Sequence, residues 1–363
     1  MTSQNKKTLK KVGRIGLIVL LSIVLLLVSY VAYYLLSYKR VKPDLALEVN
    51  NPLDGKAEVG VNYTAVTYNL GFGAYTPDFG FFMDGGTEGR AKSKQSVIGA
   101  INGAVSTVLE YSPSICFMQE VDTKATRSYK VNQRAQILEK MQGYTSVYAI
   151  NYDSPYLFYP FHSPLGRAKS GILTLSKFQI ESSVRRQLPV EKGFSKYFDL
   201  DRCYTVSRVP TNNDKELVLF NVHLSAYTTD GTIADEQFLL LVNEMQSECE
   251  KGNYVICGGD FNKDTLGDSS VYFGTDAQNY TWAQPIKEEY LDGTNLTIVR
   301  SVNPDNPVPS CRNADGPYNE NQFVITIDGF IVSDNVSVLS SDVINLGFLY
   351  SDHNPVYLNF TLI

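Results

Sequence analysis

The 363-residue chain is 44% hydrophobic and 19% charged, which excludes a compositionally disordered protein and allows a large core. Its net charge of −6 hides an asymmetry: eight Lys and Arg flank one apolar run near the N-terminus, so residues from Pro43 onward hold 24 basic against 38 acidic side chains, a net −14. So acidic a part is excluded as an electrostatic clamp for a polyanion, and phosphate chemistry there needs a divalent cation or a local basic cluster.

The first element in the chain is the apolar run Ile15 to Leu36, 22 positions without a charge. That is enough to cross a hydrocarbon core of about 30 Å as a helix. The run exceeds the apolar core of a secretory signal peptide and ends among Tyr30, Tyr33 and Tyr34, rings that suit a membrane interface. We read it as an uncleaved anchor. Lys6, Lys7, Lys10, Lys11 and Arg14 precede it, and Lys39, Arg40 and Lys42 follow. The excess on the N-terminal side predicts a single-pass protein of the cell membrane, with residues 1–14 a cytoplasmic tail and everything after Lys42 extracellular.

Residues 37–60, including NNPLDG, read as a polar linker. Strand-like runs then recur: TAVTYNL at 64–70, SICFMQE at 114–120, GILTLS at 171–176, ELVLFNVHL at 216–224, NYVICGGD at 253–260, FVITIDGFIV at 323–332 and PVYLNFTL at 355–362. Between them, Val97, Ile98, Ile101, Val105, Val108 and Leu109, and later Phe238, Leu241, Val242 and Met245, recur at helical spacing. With no internal repeat, residues 61–363 read as one domain of two sheets with outer helices. The aromatic stretch YLFYPF at 156–161 reads first as a buried strand. The five cysteines, Cys116, Cys203, Cys249, Cys257 and Cys311, show no CxxC spacing and do not suggest zinc.

Polar residues gather where these strands end. Asn69 closes the first, Gln119 and Glu120 the second, His223 a later one; Asp260 and Asn262 close VICGGDFN, Asp328 interrupts VITIDGFIV, and Asp352 with His353 precedes the last strand. GGDFNKD itself reads as a turn that delivers Asp260 and Asn262. Carboxylates, amides and imidazoles at one end of most core strands converge on a site. Glu120 with the amide oxygen of Asn69 offers hard oxygen ligands of the kind Mg2+ or Mn2+ takes. An imidazole whose tautomer a carboxylate fixes can take a proton from water, a pair that Asp328 and His353 can supply. Asn262 and His223 can stabilise charge developing on phosphoryl oxygens.

The ordered set N, QE, H, GDFN, D and SDH resembles the endonuclease/exonuclease/phosphatase superfamily, which includes pancreatic deoxyribonuclease, apurinic endonucleases, neutral sphingomyelinases and inositol polyphosphate 5-phosphatases. The resemblance runs from about Val61 to Ile363. It implies an α/β fold, a four-layer α-β-β-α sandwich of deoxyribonuclease type behind the N-terminal transmembrane helix, with residues 61–363 the catalytic domain. It further implies that Glu120 and Asn69 are metal ligands with Asp352 close by, that Asp260 orients or activates water, that Asn262 contacts phosphate, and that Asp328 and His353 form a carboxylate-imidazole pair. His223 matches the deoxyribonuclease and sphingomyelinase branches and argues against the apurinic one; its carboxylate partner is left open, with Asp153 only near the matching position. His162 matches no motif and reads as a loop residue. The 5-phosphatase branch is disfavoured because ITIDGF stands where its WTDR-type signature would be.

The implied activity is Mg2+-dependent hydrolysis of a phosphoester. Nucleic acid is placed slightly ahead of phospholipid, and an inactive binding protein is the remaining alternative. A nuclease needs flanking basic side chains, for which Lys124, Arg127, Arg167 and Lys169 are nearest the motifs; a lipid phosphodiesterase instead needs Tyr156, Phe158, Tyr159 and Phe161 on an exposed apolar edge.

Overall fold

The computed structural model describes residues 3–37, 40–190, 201–226, 231–277 and 280–363; Lys39, counted above among the flanking charges, lies outside them. The chain divides into two units, Met1–Lys39 and Arg40–Ile363. Of the first, Ser3–Ser37 is one continuous helix, α1, so the basic tail and the apolar run share an element. Its Lys7–Ser37 part is long and apolar enough to cross a membrane.

In the second unit the strands are, in chain order, β1 Leu45–Ala46, β2 Val49–Asn50, β3 Asn62–Asn69, β4 Ile115–Asp122, β5 Thr145–Asp153, β6 Lys169–Ser176, β7 Ser182–Gln187, β8 Cys203–Pro210, β9 Glu216–His223, β10 Tyr254–Asp260, β11 Leu296–Val299, β12 Cys311–Arg312, β13 Val324–Ile325, β14 Asp328–Ser333, β15 Val336–Val343 and β16 Val356–Leu362. One seven-stranded sheet runs β1-β7-β8-β9-β10-β14-β11 and the other β15-β16-β3-β4-β6-β5-β2. Their inner faces share a core of Ile115, Phe117, Leu217, Leu219, Ile256, Phe330, Leu358 and Phe360. Helix α2, Lys94–Glu110, and helix α3, Gln133–Lys140, lie on the outside of the second sheet; helix α4, Thr232–Glu250, covers the first. The result is the four-layer sandwich.

Local chemistry explains the outer layers. In α2, Ser93 and Ser96 cap each other: each hydroxyl oxygen accepts the other's backbone N–H, at 2.9 and 3.0 Å. Val97, Ala100, Ile101, Ala104, Val105 and Val108 then recur every three or four residues and face the sheet. Burying that stripe against β3 and β4 removes several aliphatic side chains from water, each worth about 1.5–3 kcal/mol.

Three sequence expectations change. The segment read as a linker supplies edge strands to both sheets, because Leu45 and Ala46 pair with β7 and Val49 and Asn50 with β5. The run FVITIDGFIV is not one strand: β13 pairs only with β12, and Asp328 begins β14 rather than interrupting a strand. The break at Thr326 and Ile327 arises because their carbonyls accept from Thr265 and Phe261, while Ser310 Oγ accepts the N–H of Ile327 and of Asp328. Finally, Gly258 and Gly259 are strand residues, not turn residues. A Cβ on Gly258 would meet the Phe117 ring at 2.4 Å and one on Gly259 the Val222 carbonyl at 2.1 Å, so close packing of strand on neighbour demands both glycines.

Candidate active site

The strand pairing alone brings the polar ends together. Parallel pairing sets Asn69 beside Gln119 and Asp260 beside His223, and antiparallel pairing sets Asp260 beside Asp328. The two sheets meet here, since Asn69 Nδ2 donates to Asp260 Oδ2 across the sandwich at 2.9 Å. Gln119 adds a second bridge by donating to Asn221 Oδ1 at 2.9 Å.

Two residues reach the cluster through backbone irregularities. Glu120 sits at φ +56 in an irregularity where β4 slips register against β6 between Met118 and Val121, which turns its side chain out of the strict alternation of the strand. Asn262 stands at φ +46, its N–H given to Asp260 Oδ1 at 2.9 Å and one amide hydrogen to the Leu224 carbonyl at 2.8 Å. A left-handed conformation at non-glycine residues costs energy and is often found at functional sites.

Asp260 is the hub. Its Oδ2 lies 2.9 Å from Asn69 Nδ2, 3.3 Å from His223 Nε2 and 3.9 Å from His353 Nε2. His353 Nδ1 is 2.7 Å from Asp328 Oδ2, which also accepts from Ser310 Oγ at 2.8 Å. That carboxylate therefore fixes the imidazole with Nε2 facing Asp260. Burial, with the Asp328 carboxylate beside it, pushes the Asp260 carboxyl up to about 6. Burial, then Arg202, His353 and Arg127, holds His223 well below the usual imidazole range and so neutral. His353 goes the other way: burial pulls it down, but Asp328, Cys311 and Asp352 hold it well above that range. An imidazole so held carries a proton that it can donate.

The question of His223's partner closes on Asp260, with Glu120 Oε1 at 4.0 Å; Asp153 instead faces Arg167 at 3.7 Å. Asn69 departs from its expected part. Its amide oxygen accepts from Gly71 N–H at 3.0 Å while its NH2 faces Asp260 and Glu120, so it presents donors rather than a ligand oxygen. Glu120 and Asp352 remain as hard oxygen donors lining the cleft. Burial pushes the Asp352 carboxyl up to about 6; His353 opposes this and Glu120 adds to it. Two carboxylates close enough to repel, on a partly open cleft wall, fit a divalent cation with water completing its shell. Asp260, Asp328 and His353 also have ligand atoms within 4.8 Å of one another. Their shared hydrogen bonds leave that trio less free to ligate.

The sequence reading missed Ser310, Arg202, Arg312 and Trp282. The last three line the same cleft. Arg312 is buried, and its guanidinium donates to the carbonyls of Asn313, Gly316 and Thr76, each at 3.4 Å. No strand-end pattern marks these residues, which come from short segments. Among the four basic candidates, Arg127 is buried, bonded to both oxygens of Asp122 at 2.9 and 3.1 Å and stacked 3.8 Å over Phe72, so it is unavailable to a phosphate. His162 is exposed on a loop, 2.9 Å from the Thr87 carbonyl. All five cysteines are free thiols.

Comparison with known proteins agrees with this architecture. A family model described as Endonuclease/Exonuclease/phosphatase family matches residues 66–353. No curated protein matches the chain in sequence. Among solved structures, an endonuclease/exonuclease/phosphatase from Beutenbergia cavernae superposes with TM-score 0.58 at 16% identity, covering 83% of this chain and 72% of the other. One from Bacteroides vulgatus gives 0.53 at 16%, covering 84% and 100%. ANGEL2, a 2',3'-cyclic phosphatase solved with adenosine-2',3'-vanadate, gives 0.55 at 16%, covering 89% and 99%. At such identity the likeness carries the fold.

Proposed function

The chain belongs to the endonuclease/exonuclease/phosphatase family, and from that premise we propose that it is a divalent-cation-dependent phosphodiesterase, held at the cell membrane by α1 with residues 61–363 outside. The observation that carries the reading is the convergence on Asp260 of Asn69, His223 and the Asp328-oriented His353. In this reading Glu120 and Asp352 hold Mg2+ or Mn2+, which supplies charge withdrawal from a phosphoryl oxygen. Asp260 accepts the proton of the attacking water, with Asn69 donating to its Oδ2 and neutral His223 setting Nε2 3.3 Å from the same oxygen, which together fix its aim. His353, charged through Asp328, gives a hydrogen bond or proton to the phosphoryl or leaving oxygen from Nε2. The free amide hydrogen of Asn262 and the guanidinium of Arg312 add donors on the cleft wall.

For substrate, the sequence reading puts nucleic acid first. The loss of Arg127 from the flanking cations and the net −14 of the domain weaken that order. The test is to offer plasmid DNA, RNA and phospholipid vesicles in parallel to the detergent-solubilised full chain with Mg2+, with Asp260→Ala as control. Activity on none of them sinks the phosphodiesterase reading. Protease added to intact cells tests the topology: residues after Lys42 should be shaved away, and their survival until lysis reverses the orientation.

A further inference from the structure

Residues 156–161 do not form a buried strand. Phe158 is 51%, Tyr159 61% and Phe161 84% exposed, and Met83, the residue after the Phe82 that touches Tyr159, is 50% exposed. Tyr159 links Phe82 and Phe161 into one group, at 5.4 and 6.0 Å between centroids, and Tyr156 and Phe158 form a second pair at 4.7 Å. Single exposed apolar residues are ordinary, but a contiguous group marks a surface that meets something apolar.

The loop does not float. Leu157 and Gly166 exchange both backbone hydrogen bonds, Leu165 N–H donates to the Tyr159 carbonyl at 3.3 Å, and Arg90 and Gly89 bind Pro164 and Ser163 of its return limb. Gly89 is required, because a Cβ there would meet the Ser163 carbonyl at 2.4 Å. The rings are thus presented outward by a pinned base. That base is continuous with the cleft: Phe82, which touches Tyr159, begins the turn Phe82–Asp84, and Asp84 lines the cleft.

We propose that Met83, Tyr159 and Phe161 form a docking edge that seats in the interfacial layer of a lipid bilayer, so that the adjoining cleft acts on phosphodiesters presented by a membrane. The second clause rests on the phosphodiesterase reading; the first does not. Two observations select a bilayer as the occupant. The same chain carries a helix, Lys7–Ser37, long and apolar enough to cross one, and amphipathic Tyr beside Phe is a composition that interfaces accept.

The test uses the full chain in phosphatidylcholine nanodiscs whose acyl chains are or are not brominated. In Phe161→Trp the added emission should shift to the blue and be quenched by roughly half or more, as for a ring lying at the headgroup-acyl boundary, whereas in the unsubstituted protein Trp282 should respond little. Tyr159→Ser with Phe161→Ser should lower turnover of phospholipid in the disc by about tenfold or more and leave turnover of soluble bis(p-nitrophenyl) phosphate unchanged. An unquenched Trp at 161 overturns the docking edge, including the case in which mass measurement finds a second copy or another protein covering it. Quenching without hydrolysis of either substrate supports the edge and sinks the phosphodiesterase reading. Hydrolysis of the soluble diester alone overturns the membrane-held substrate.

Discussion

Asp260, Asp328 and His223 are each no more than 2% exposed, whereas Phe158, Tyr159 and Phe161 are each more than half exposed. The cleft floor and the 156–161 edge depart from the ordinary sorting of side chains in opposite senses, one holding ionisable groups inside and the other holding rings outside. The floor is tied together by hydrogen bonds, so each member depends on its neighbours. At the edge, Tyr159 and Phe161 rise from a pinned base and can change with little effect on the fold. Substitutions should therefore separate the two: at the Asp260 hub, activity and stability move in opposite directions, and at the edge neither moves unless a membrane is present.

The largest effect is expected at the hub. Asp260→Asn should lower the rate by about a thousandfold, within the range for losing a general base, and should raise the unfolding temperature, because a buried carboxylate raised by desolvation is removed. An Asp260→Asn protein both inactive and less stable would give Asp260 a structural role. His353→Ala should lose about a hundredfold or more, and Asp328→Asn should follow it; an Asp328→Asn enzyme at full rate would break the pairing. Ser310→Ala comes next. It should cost about 1–3 kcal/mol, since the N–H groups of Ile327 and Asp328 lose their acceptor, and should slow turnover about tenfold by freeing Asp328, with the Michaelis constant unmoved and Ser310→Thr restoring much of the rate.

Ordinary charged groups supply the control between the extremes. Burial raises the Glu248 carboxyl, but hydrogen bonds from Arg208, Lys251 and Asn253 outweigh it and hold the group at about 2. A depressed carboxyl stabilises the fold above its unfolded value of about 4.3, and that contribution fades as pH falls toward 2. Glu248→Gln should thus cost about 1 kcal/mol or less at pH 7, because its partners Arg208 and Lys251 are open to solvent, and the difference in unfolding free energy should shrink steadily below pH 4. A constant difference would remove the ion pairs from the account. The smallest effect belongs to the edge, where Phe161→Ser in detergent should change stability by no more than about 0.5 kcal/mol.

Much of the floor was legible because strand periodicity and a polar final residue are both local signals. Asn69, Glu120, His223, Asp260, Asp328 and His353 could be named from the sequence around apolar runs; strand pairing gathers Asn69, His223, Asp260 and Asp328, the irregularity in β4 turns Glu120 in, and Asp328 holds His353. What was not legible depends on partners distant in sequence. The strands β7 and β15 read SSVRRQ and VSVLSSDV, too polar to stand out, and each acquires its strand form from a neighbour's hydrogen bonds. Gly258 and Gly259 look like turn residues until Phe117 and the Val222 carbonyl fill the space a Cβ would need. Arg127 looks like a free cation until Asp122, five residues before it, is found turned inward against it. YLFYPF has the composition of a buried strand, and only the pinning of its limbs by Gly89 and Arg90 leaves its rings outside.

The central claim is that the floor around Asp260 cleaves phosphodiesters with a divalent cation at Glu120 and Asp352. Hydrolysis of bis(p-nitrophenyl) phosphate by the solubilised full chain, followed with Mg2+, with Mn2+ and with EDTA, tests it most directly when run beside Asp260→Asn and Glu120→Gln. Turnover is expected with either cation, none in EDTA, none with Asp260→Asn, and a raised cation requirement at lower rate with Glu120→Gln. Turnover that persists unchanged in EDTA, or in Asp260→Asn, would contradict it.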